Sequence, residues 1–272
     1  YGPQGPHSTF PAFDYLGLAR SGIMLAMGEP DMPPLGVVGG IADQMGAIML
    51  SFGIIIALLV REKTGKGQEV DVSHLGSMIY LQGLNVAASL FGKDLPRQSR
   101  RRAANPLWNH YRCKDGKWIA LAHLQPDRYW GALCKALGIE ELEKDPRFEN
   151  MEVREKHCEE LIEILDRVFA GKTSDEWMRI LREGGFIVEM VQSVSDLKYD
   201  PQAIENEYIV DYKHPVLGDV KFVGIPFRFS ETPGNPRHPA PDFGEHTEDV
   251  LLNICGYSWD DIAKLKEKEV IP

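Results

Sequence analysis

The stretch Gly40-Ile41-Ala42-Asp43 leads directly into a long apolar segment that ends in Arg61-Glu62-Lys63-Thr64-Gly65. This pattern predicts a helix with Asp43 at its N-terminus and an end near Thr64, where Gly65 takes the left-handed cap position. Peptide dipoles and unpaired N–H groups at a helix N-terminus favour negative charge and hold a carboxylate in place. Two interpretations of Asp43 follow: a helix N-cap, or a positioned carboxylate that acts as a nucleophile.

Composition limits the class of protein. The 272 residues are 43% apolar, so the chain can bury a substantial core in one large domain or two smaller ones. The net charge of -10 argues against nucleic acid as a partner. The apolar run from Ile48 to Val60 is shorter than the roughly 20 residues that cross a bilayer, so we expect a buried core helix and no membrane partner. The four cysteines show no C-x-x-C pairing, which favours a reducing, cytoplasmic location.

The first part of the chain, residues 1–92, is predicted to belong to one large domain. Besides the Asp43 helix, its pattern predicts a helix near Tyr15 to Ala26, a short strand from Glu69 to Ser73 and a second apolar helix from Leu75 to Phe91. Residues 93–106 contain four arginines and two prolines with few apolar side chains, so we interpret them as an interdomain linker.

A smaller α/β domain is predicted for residues 107–205, with a C-terminal segment at 206–272. Asp115-Gly116 between apolar runs predicts a hairpin, and a second hairpin is predicted with its turn at Leu217-Gly218-Asp219. The segment from Ser230 to Phe243 is rich in proline and is predicted to be extended. Further helices are predicted at Asp127 to Leu137, Arg154 to Ala170, Asp175 to Glu183 with Ser174 as its cap, Thr247 to Leu252 with Thr247 as its cap, and Trp259 to Lys268.

Three stretches carry a resemblance to a known family: Tyr1–Pro6 with Pro11–Asp14, then Gly39–Ser73, then Gly244–Leu251. Together they resemble the family III CoA-transferases (the CaiB/BaiF family), which include formyl-CoA, carnitine and bile-acid CoA-transferases and also the 2-methylacyl-CoA racemases. The resemblance implies an α/β fold: a Rossmann-like nucleotide-fold domain, a linker, a small α/β domain and a tail that returns to the first domain. It also implies an interlocked homodimer. Because the chain starts inside the first stretch, we expect it to lack an N-terminal segment of the family fold.

The resemblance implies that Asp43 is the covalent nucleophile of an acyl-CoA:carboxylate CoA-transferase. Asp43 would attack the donor thioester to form a mixed anhydride, and CoA thiolate would then convert it to an aspartyl-CoA thioester. This route needs coenzyme A and acyl-CoA as substrates and no permanently bound cofactor. The histidines and cysteines show no H-x-x-x-H or Cys/His ligand spacing, so we expect no metal.

Six further residues are candidate CoA-binding positions: Phe13, Asp14, Gly39, Gly40, Arg97 and Arg100. The resemblance places the first two beside the reacting thioester, although Phe13 also fits an ordinary core residue. The two glycines offer backbone N–H groups for an oxyanion, or simply loop flexibility. The two arginines suit phosphate recognition, or belong to a solvated linker.

Two alternative functions remain open. A racemase or epimerase of the same family is disfavoured by Phe13, where racemases have a proton-transferring His, and by Gln125, where they tend to have Glu. The other alternative is a non-catalytic acyl-CoA-binding subunit of a heteromeric CoA-transferase. Gly185–Val191 departs from the family pattern near the acyl pocket, so the resemblance leaves the acyl donor and acceptor open.

Overall fold

A computed structural model describes residues 1–93, 95–234 and 240–271. The chain divides into two compact units, Tyr1–Val191 and Gln192–Pro272. The helices of the first unit are α1 (Asp14–Ser21), α2 (Ile41–Thr64), α3 (His74–Leu81), α4 (Gly83–Leu90), α5 (Pro126–Leu137), α6 (Met151–Lys156), α7 (Cys158–Phe169) and α8 (Ser174–Glu183). Its strands are β1 (Trp108–Arg112), β2 (Trp118–Ala122) and β3 (Val188–Met190). This mixture of helix and sheet confirms the predicted α/β class.

The three strands form an antiparallel sheet in the order β1-β2-β3. The register pairs Trp108 with Ala122 and Arg112 with Trp118, so the chain turns at Asp115-Gly116 as predicted. Gly116 has φ 83°, a left-handed conformation that glycine adopts without strain. The Rossmann-like nucleotide fold of the first domain stays a prediction, because between residues 1 and 93 the structure contains helices and turns but no strand.

Helices α5, α7 and α8 contribute most of the apolar side chains that pack with this sheet, and burial of these side chains is the main stabilising term of the first unit. The buried members are Leu107, Tyr111, Cys113, Ile119, Leu121, Trp130, Leu133, Cys134, Leu137, Ile139, Leu142, Phe148, Leu161, Ile162, Leu165, Phe169, Trp177, Met178, Leu181 and Phe186.

Two helix boundaries in this part differ from the predictions. Thr173, not Ser174, caps α8: it forms a capping box with Glu176, while the Ser174 hydroxyl donates to Asp115 at 2.7 Å. The helix predicted from Arg154 to Ala170 is interrupted at His157, where α6 ends and α7 begins.

The N-terminal helices have a smaller core, formed by Leu18, Met24, Ala42 and Met78. α2 ends as predicted: Gly65 has φ 69° and donates its N–H to the Arg61 carbonyl at 2.8 Å. The strand predicted from Glu69 to Ser73 is wrong, because no described strand pairs with this segment and Ser73 instead caps α3.

The predicted apolar helix from Leu75 to Phe91 is also divided. Gln82 separates α3 from α4, and its side-chain amide donates to the carbonyls of Ser21 and Met78. Gly83 follows at once, and glycine has a low propensity for the helix interior, so the break falls at this pair.

The prediction that Ile48 to Val60 is a buried core helix is wrong. Ile48 is 61% exposed and Phe52 is 57% exposed, and Ala42 is the only residue of α2 that is fully buried in the structure as described. The whole helix has 24 residues, and by length and composition alone it could cross a membrane. Core helices of soluble proteins pass the same test, and a helix that is apolar all round requires some apolar surroundings.

The second unit contains α9 (Pro201–Glu205), the antiparallel hairpin β4 (Ile209–His214) and β5 (Gly218–Val223), α10 (Thr247–Asn253) and α11 (Trp259–Glu267). The second predicted hairpin is therefore present, but its turn is formed by residues 215–217 rather than Leu217-Gly218-Asp219, because Gly218 and Asp219 already pair within β5. Thr247 is the first residue of α10 rather than its cap, a position that His246 takes without a side-chain bond. The centre of the predicted proline-rich stretch, residues 235–239, lies outside the described residues.

Candidate active site

Asp43 is the third residue of α2 and does not cap it. Gly40 occupies the N-cap position and has no side chain to accept from the first N–H groups. The carboxylate of Asp14, on α1, takes that role: its Oδ1 accepts from the N–H of Ala42 at 2.7 Å and of Asp43 at 3.2 Å. The N-cap interpretation of Asp43 is thus excluded, and its carboxylate is not needed by its own helix.

The Asp43 side chain faces outward and meets His74. Its exposed fraction is 57%, and its Oδ1 lies 3.1 Å from Nε2 of His74, whose side chain is 30% exposed. One carboxylate oxygen is therefore held by an imidazole while the side chain as a whole stays open to a ligand.

The path of the chain after α2 explains why these two residues meet. From Asp43 to Thr64 the helix rises about 32 Å at 1.5 Å per residue. The nine residues from Gly65 to Ser73 span about 30 Å at 3.3 Å per residue, enough to return to the start of the helix. Val70 lies against α2 on the way, since a Cβ on Gly53 would be 2.9 Å from its Cγ1.

Two glycines make room for this arrangement. A Cβ on Gly17 of α1 would lie 3.0 Å from Cβ of Ala42 and 3.1 Å from Cβ of His74. A Cβ on Gly46 of α2 would lie 3.3 Å from Cδ2 of His74. Each distance is at or below the usual contact distance, so any side chain at either position would push α1 or the imidazole away.

Phe13, Gly39 and Gly40 lie in the segments that lead to this site. Gly39 and Gly40 have φ 101° and 65°, so the turn before α2 uses two left-handed residues that favour glycine. A Cβ on Gly40 would lie 3.8 Å from Cβ of Asp43. Phe13 is the N-cap of α1 and is 71% exposed, so its interpretation as a core residue is wrong.

Arg97 and Arg100 bind other parts of the protein. Arg97 donates to the carbonyls of Leu25, Glu29, Met32 and Pro33. It thereby holds the loop after α1, and it also lines a cleft of about 780 Å³ that Asp43 does not line.

Arg100 forms a two-pronged ion pair with Asp166 and donates to the His110 carbonyl at 3.0 Å. Burial disfavours its charged form, but the hydrogen bonds that Arg100 donates to Asp166, together with the negative charge of Asp166, outweigh that cost and raise the pKa of Arg100. Both arginine side chains are therefore bound by other parts of the protein, and contact of either with CoA phosphates stays a prediction.

The sequence named Asp43, Asp14 and the two glycines, which the structure places close together, but it did not name His74. The signal was present: a helix of known length followed by a return segment of matching length ends at His74. Among the described residues, no group of three or more His, Cys, Asp or Glu side chains could hold a metal ion.

Comparison with known proteins identifies the family of this chain. The sequence profile of CoA-transferase family III matches residues 1–247. This chain belongs to CoA-transferase family III. It is 32% identical to the (R)-2-hydroxy-4-methylpentanoate CoA-transferase of Clostridioides difficile, in an alignment that covers all of this chain and 68% of that protein. It is 29% identical to the succinyl-CoA–D-citramalate CoA-transferase of Chloroflexus aurantiacus, in an alignment that covers all of this chain and 67% of that protein.

A solved CaiB/BaiF family protein from Brucella suis has the same fold. The TM-score is 0.81 at 25% identity, over 93% of this chain and 65% of that structure. The family III chain described here therefore spans about two thirds of the length of these relatives.

Proposed function

We propose that the protein is an acyl-CoA:carboxylate CoA-transferase that uses Asp43 as its covalent nucleophile. The observation that carries the proposal is an exposed carboxylate that its helix does not use, held by one oxygen at the N-terminus of α2. Membership of CoA-transferase family III and the names of the two relatives support the reaction type.

The mechanism follows from the geometry of one free carboxylate oxygen. Oδ2 of Asp43 attacks the acyl carbon of the donor thioester, and CoA leaves as the thiolate, which gives a mixed anhydride. The thiolate sulfur then attacks Cγ of Asp43, and the donor acid leaves with one oxygen. The acceptor carboxylate attacks the resulting aspartyl-CoA thioester, and the returning thiolate releases the new acyl-CoA and restores Asp43.

Two features of the site support this route over its alternatives. Phe13, directly before Asp14, has no proton to transfer, which disfavours a racemase. A chain that only binds acyl-CoA needs no exposed carboxylate beside an imidazole, whereas covalent catalysis by Asp43 uses one. The proposal covers the protein that contains these residues, working as a homodimer, with acyl-CoA and a carboxylic acid as its substrates.

The test is the intact mass of the full-length protein after incubation with a panel of acyl-CoA thioesters, with hydroxylamine to trap acyl-aspartate. The panel includes succinyl-CoA and a branched 2-hydroxyacyl-CoA, because the two relatives are named for such acids. We expect a CoA adduct or hydroxamate on Asp43 and none in Asp43→Asn. Asp71→Asn, an exposed carboxylate at another place in the return segment, is the matched control.

Three results would contradict the proposal. An adduct on Asp43→Asn, or on another residue, would remove Asp43 from the chemistry. Exchange of the substrate α-proton with solvent and no adduct would favour the racemase. Acyl-CoA binding with neither adduct nor exchange would favour a binding subunit.

A further inference from the structure

We propose that His74 is a second catalytic residue: its Nε2–H donates to Oδ1 of Asp43 and stabilises the negative charge that forms on this oxygen during CoA transfer. The inference rests on the proposed function of Asp43 and assigns the donor that its reaction needs. The observation behind it is the 3.1 Å distance between Nε2 and Oδ1.

The position of the imidazole is fixed by its surroundings. His74 is the first residue of α3, whose N-cap Ser73 accepts from the Gly76 N–H at 3.0 Å. Its Cβ packs near Gly17, and its Cδ2 faces the open space at Gly46. A ring seated by a capped helix start and two glycines meets Asp43 with little freedom to move, which is the property of a preorganised donor.

Two backbone donors next to Asp43 are already engaged. The N–H groups of Ala42 and Asp43 both donate to Asp14, so they stabilise the helix terminus rather than the Asp43 side chain. Nε2 of His74 lies 3.1 Å from Oδ1 of Asp43 as an ion-pair contact. Because a carboxylate only accepts, the proposed donation needs the imidazole proton on Nε2.

This donor acts at a defined stage of the reaction. When the thiolate sulfur bonds to Cγ of Asp43, the Cγ–Oδ1 double bond opens and a full negative charge develops on Oδ1. The charge returns to the carbonyl as the Cγ–Oδ2 bond breaks and the donor acid departs with Oδ2. Attack of the acceptor carboxylate on the aspartyl-CoA thioester puts the charge on Oδ1 a second time, and the CoA thiolate is then expelled. His74 keeps its proton throughout.

The contact with His74 stabilises the tetrahedral intermediate more than the resting enzyme. The negative charge is spread over two oxygens in the resting carboxylate and is concentrated on Oδ1 in the intermediate. Hydrogen bonds to a localised anion are stronger, and loss of one oxyanion donor typically lowers the rate about 100- to 1,000-fold. A ground-state contact alone would change substrate binding instead.

The experiment compares wild type, His74→Phe and His74→Gln in the full-length protein by rapid quench, with mass detection of the aspartyl-CoA thioester from a single donor acyl-CoA. His74→Phe removes the donor, and we expect its maximal rate to fall about 100- to 1,000-fold with little change in the half-saturating acyl-CoA concentration. His74→Gln keeps an N–H donor, so we expect it to recover at least a tenth of the wild-type rate. His157→Phe, a half-exposed histidine at the start of α7, is the matched control.

A wild-type adduct whose rate is unchanged in His74→Phe would overturn the inference and leave the proposed function of Asp43 intact. A Gln variant as slow as the Phe variant would overturn the role as donor. Absence of any wild-type adduct would instead remove the proposed function, and the inference with it. If melting shows that His74→Phe is unfolded, His74→Met removes the same donor with a flexible side chain and takes its place in the comparison.

Discussion

Two regions of the first unit differ in how they use their apolar residues. The sheet region, residues 107–190, buries twenty side chains in one core. The helical region, residues 1–93, buries four, although it contains the 24-residue apolar helix α2. The candidate nucleophile lies in the helical region, so the chemistry and most of the packing energy belong to different parts of the sequence.

The largest expected effect separates activity from stability. Asp43→Asn removes a nucleophile that is 57% exposed, so we expect adduct formation to fall by at least about 10⁴-fold while the melting temperature stays within about 1 °C. Rapid-quench mass spectrometry and calorimetry on the same sample measure both. A variant that loses activity by unfolding would place Asp43 among the structural residues.

The second effect compares one phenylalanine from each region. Phe169 is fully buried and packs against Tyr111 and Trp177, so Phe169→Ala should lower the free energy of unfolding by about 3–5 kcal/mol. Phe52, on α2, is 57% exposed, and Phe52→Ala should cost less than about 1 kcal/mol. Urea unfolding of both variants gives the two values.

Equal losses would show that the surface of α2 is covered in solution. In that case the difference between the two regions would disappear, because the helical region would have a core of comparable strength.

A smaller effect is expected at the link between α1 and α2. Asp14→Ala removes the acceptor for two N–H groups of α2 and should lower the free energy of unfolding by about 1–2 kcal/mol. Asp14→Asn keeps a side-chain carbonyl acceptor and should retain most of the stability that Asp14→Ala loses. The comparison uses thermal melts of the two variants, and an equal loss in both would show that the negative charge rather than the hydrogen bond matters.

The smallest expected effect concerns thiol chemistry. Burial raises the pKa of Cys113 to about 11 and of Cys134 to about 12, so both thiols stay protonated at pH 8. Cys255 is exposed and should react first with iodoacetamide, and labelling of the other two should increase as the pH rises toward those values. Peptide mapping after timed alkylation reports the order, and early labelling of Cys134 would indicate that the sheet region opens readily.

The parts of the fold that sequence predicts well are set by neighbouring residues. Asp115-Gly116 defines the hairpin and Gly65 ends α2, because turn and cap conformations depend on a few residues in a row. The resemblance supplied Asp43, and the structure places Asp14 and Gly40 beside it.

The parts that were missed depend on distant contacts. Asp14 caps a helix 28 residues away, which no local pattern shows. His74 meets Asp43 only because the return segment matches the length of α2. The strand predicted at Glu69 to Ser73 failed because alternation alone does not supply a pairing partner, and the burial of α2 was inferred from composition without knowing its neighbours.

The lack of a side chain at Gly46 also has a consequence for how this sequence can evolve. Glycine inside a helix lowers stability by about 0.5–1 kcal/mol relative to alanine, so it is retained where something needs the space. Here the imidazole of His74 occupies it, with Cδ2 only 3.3 Å from where a Cβ would stand. Positions 46 and 74 should therefore change together during divergence: a lineage that replaces His74 with a smaller side chain is free to acquire alanine at 46, whereas one that keeps the histidine is not.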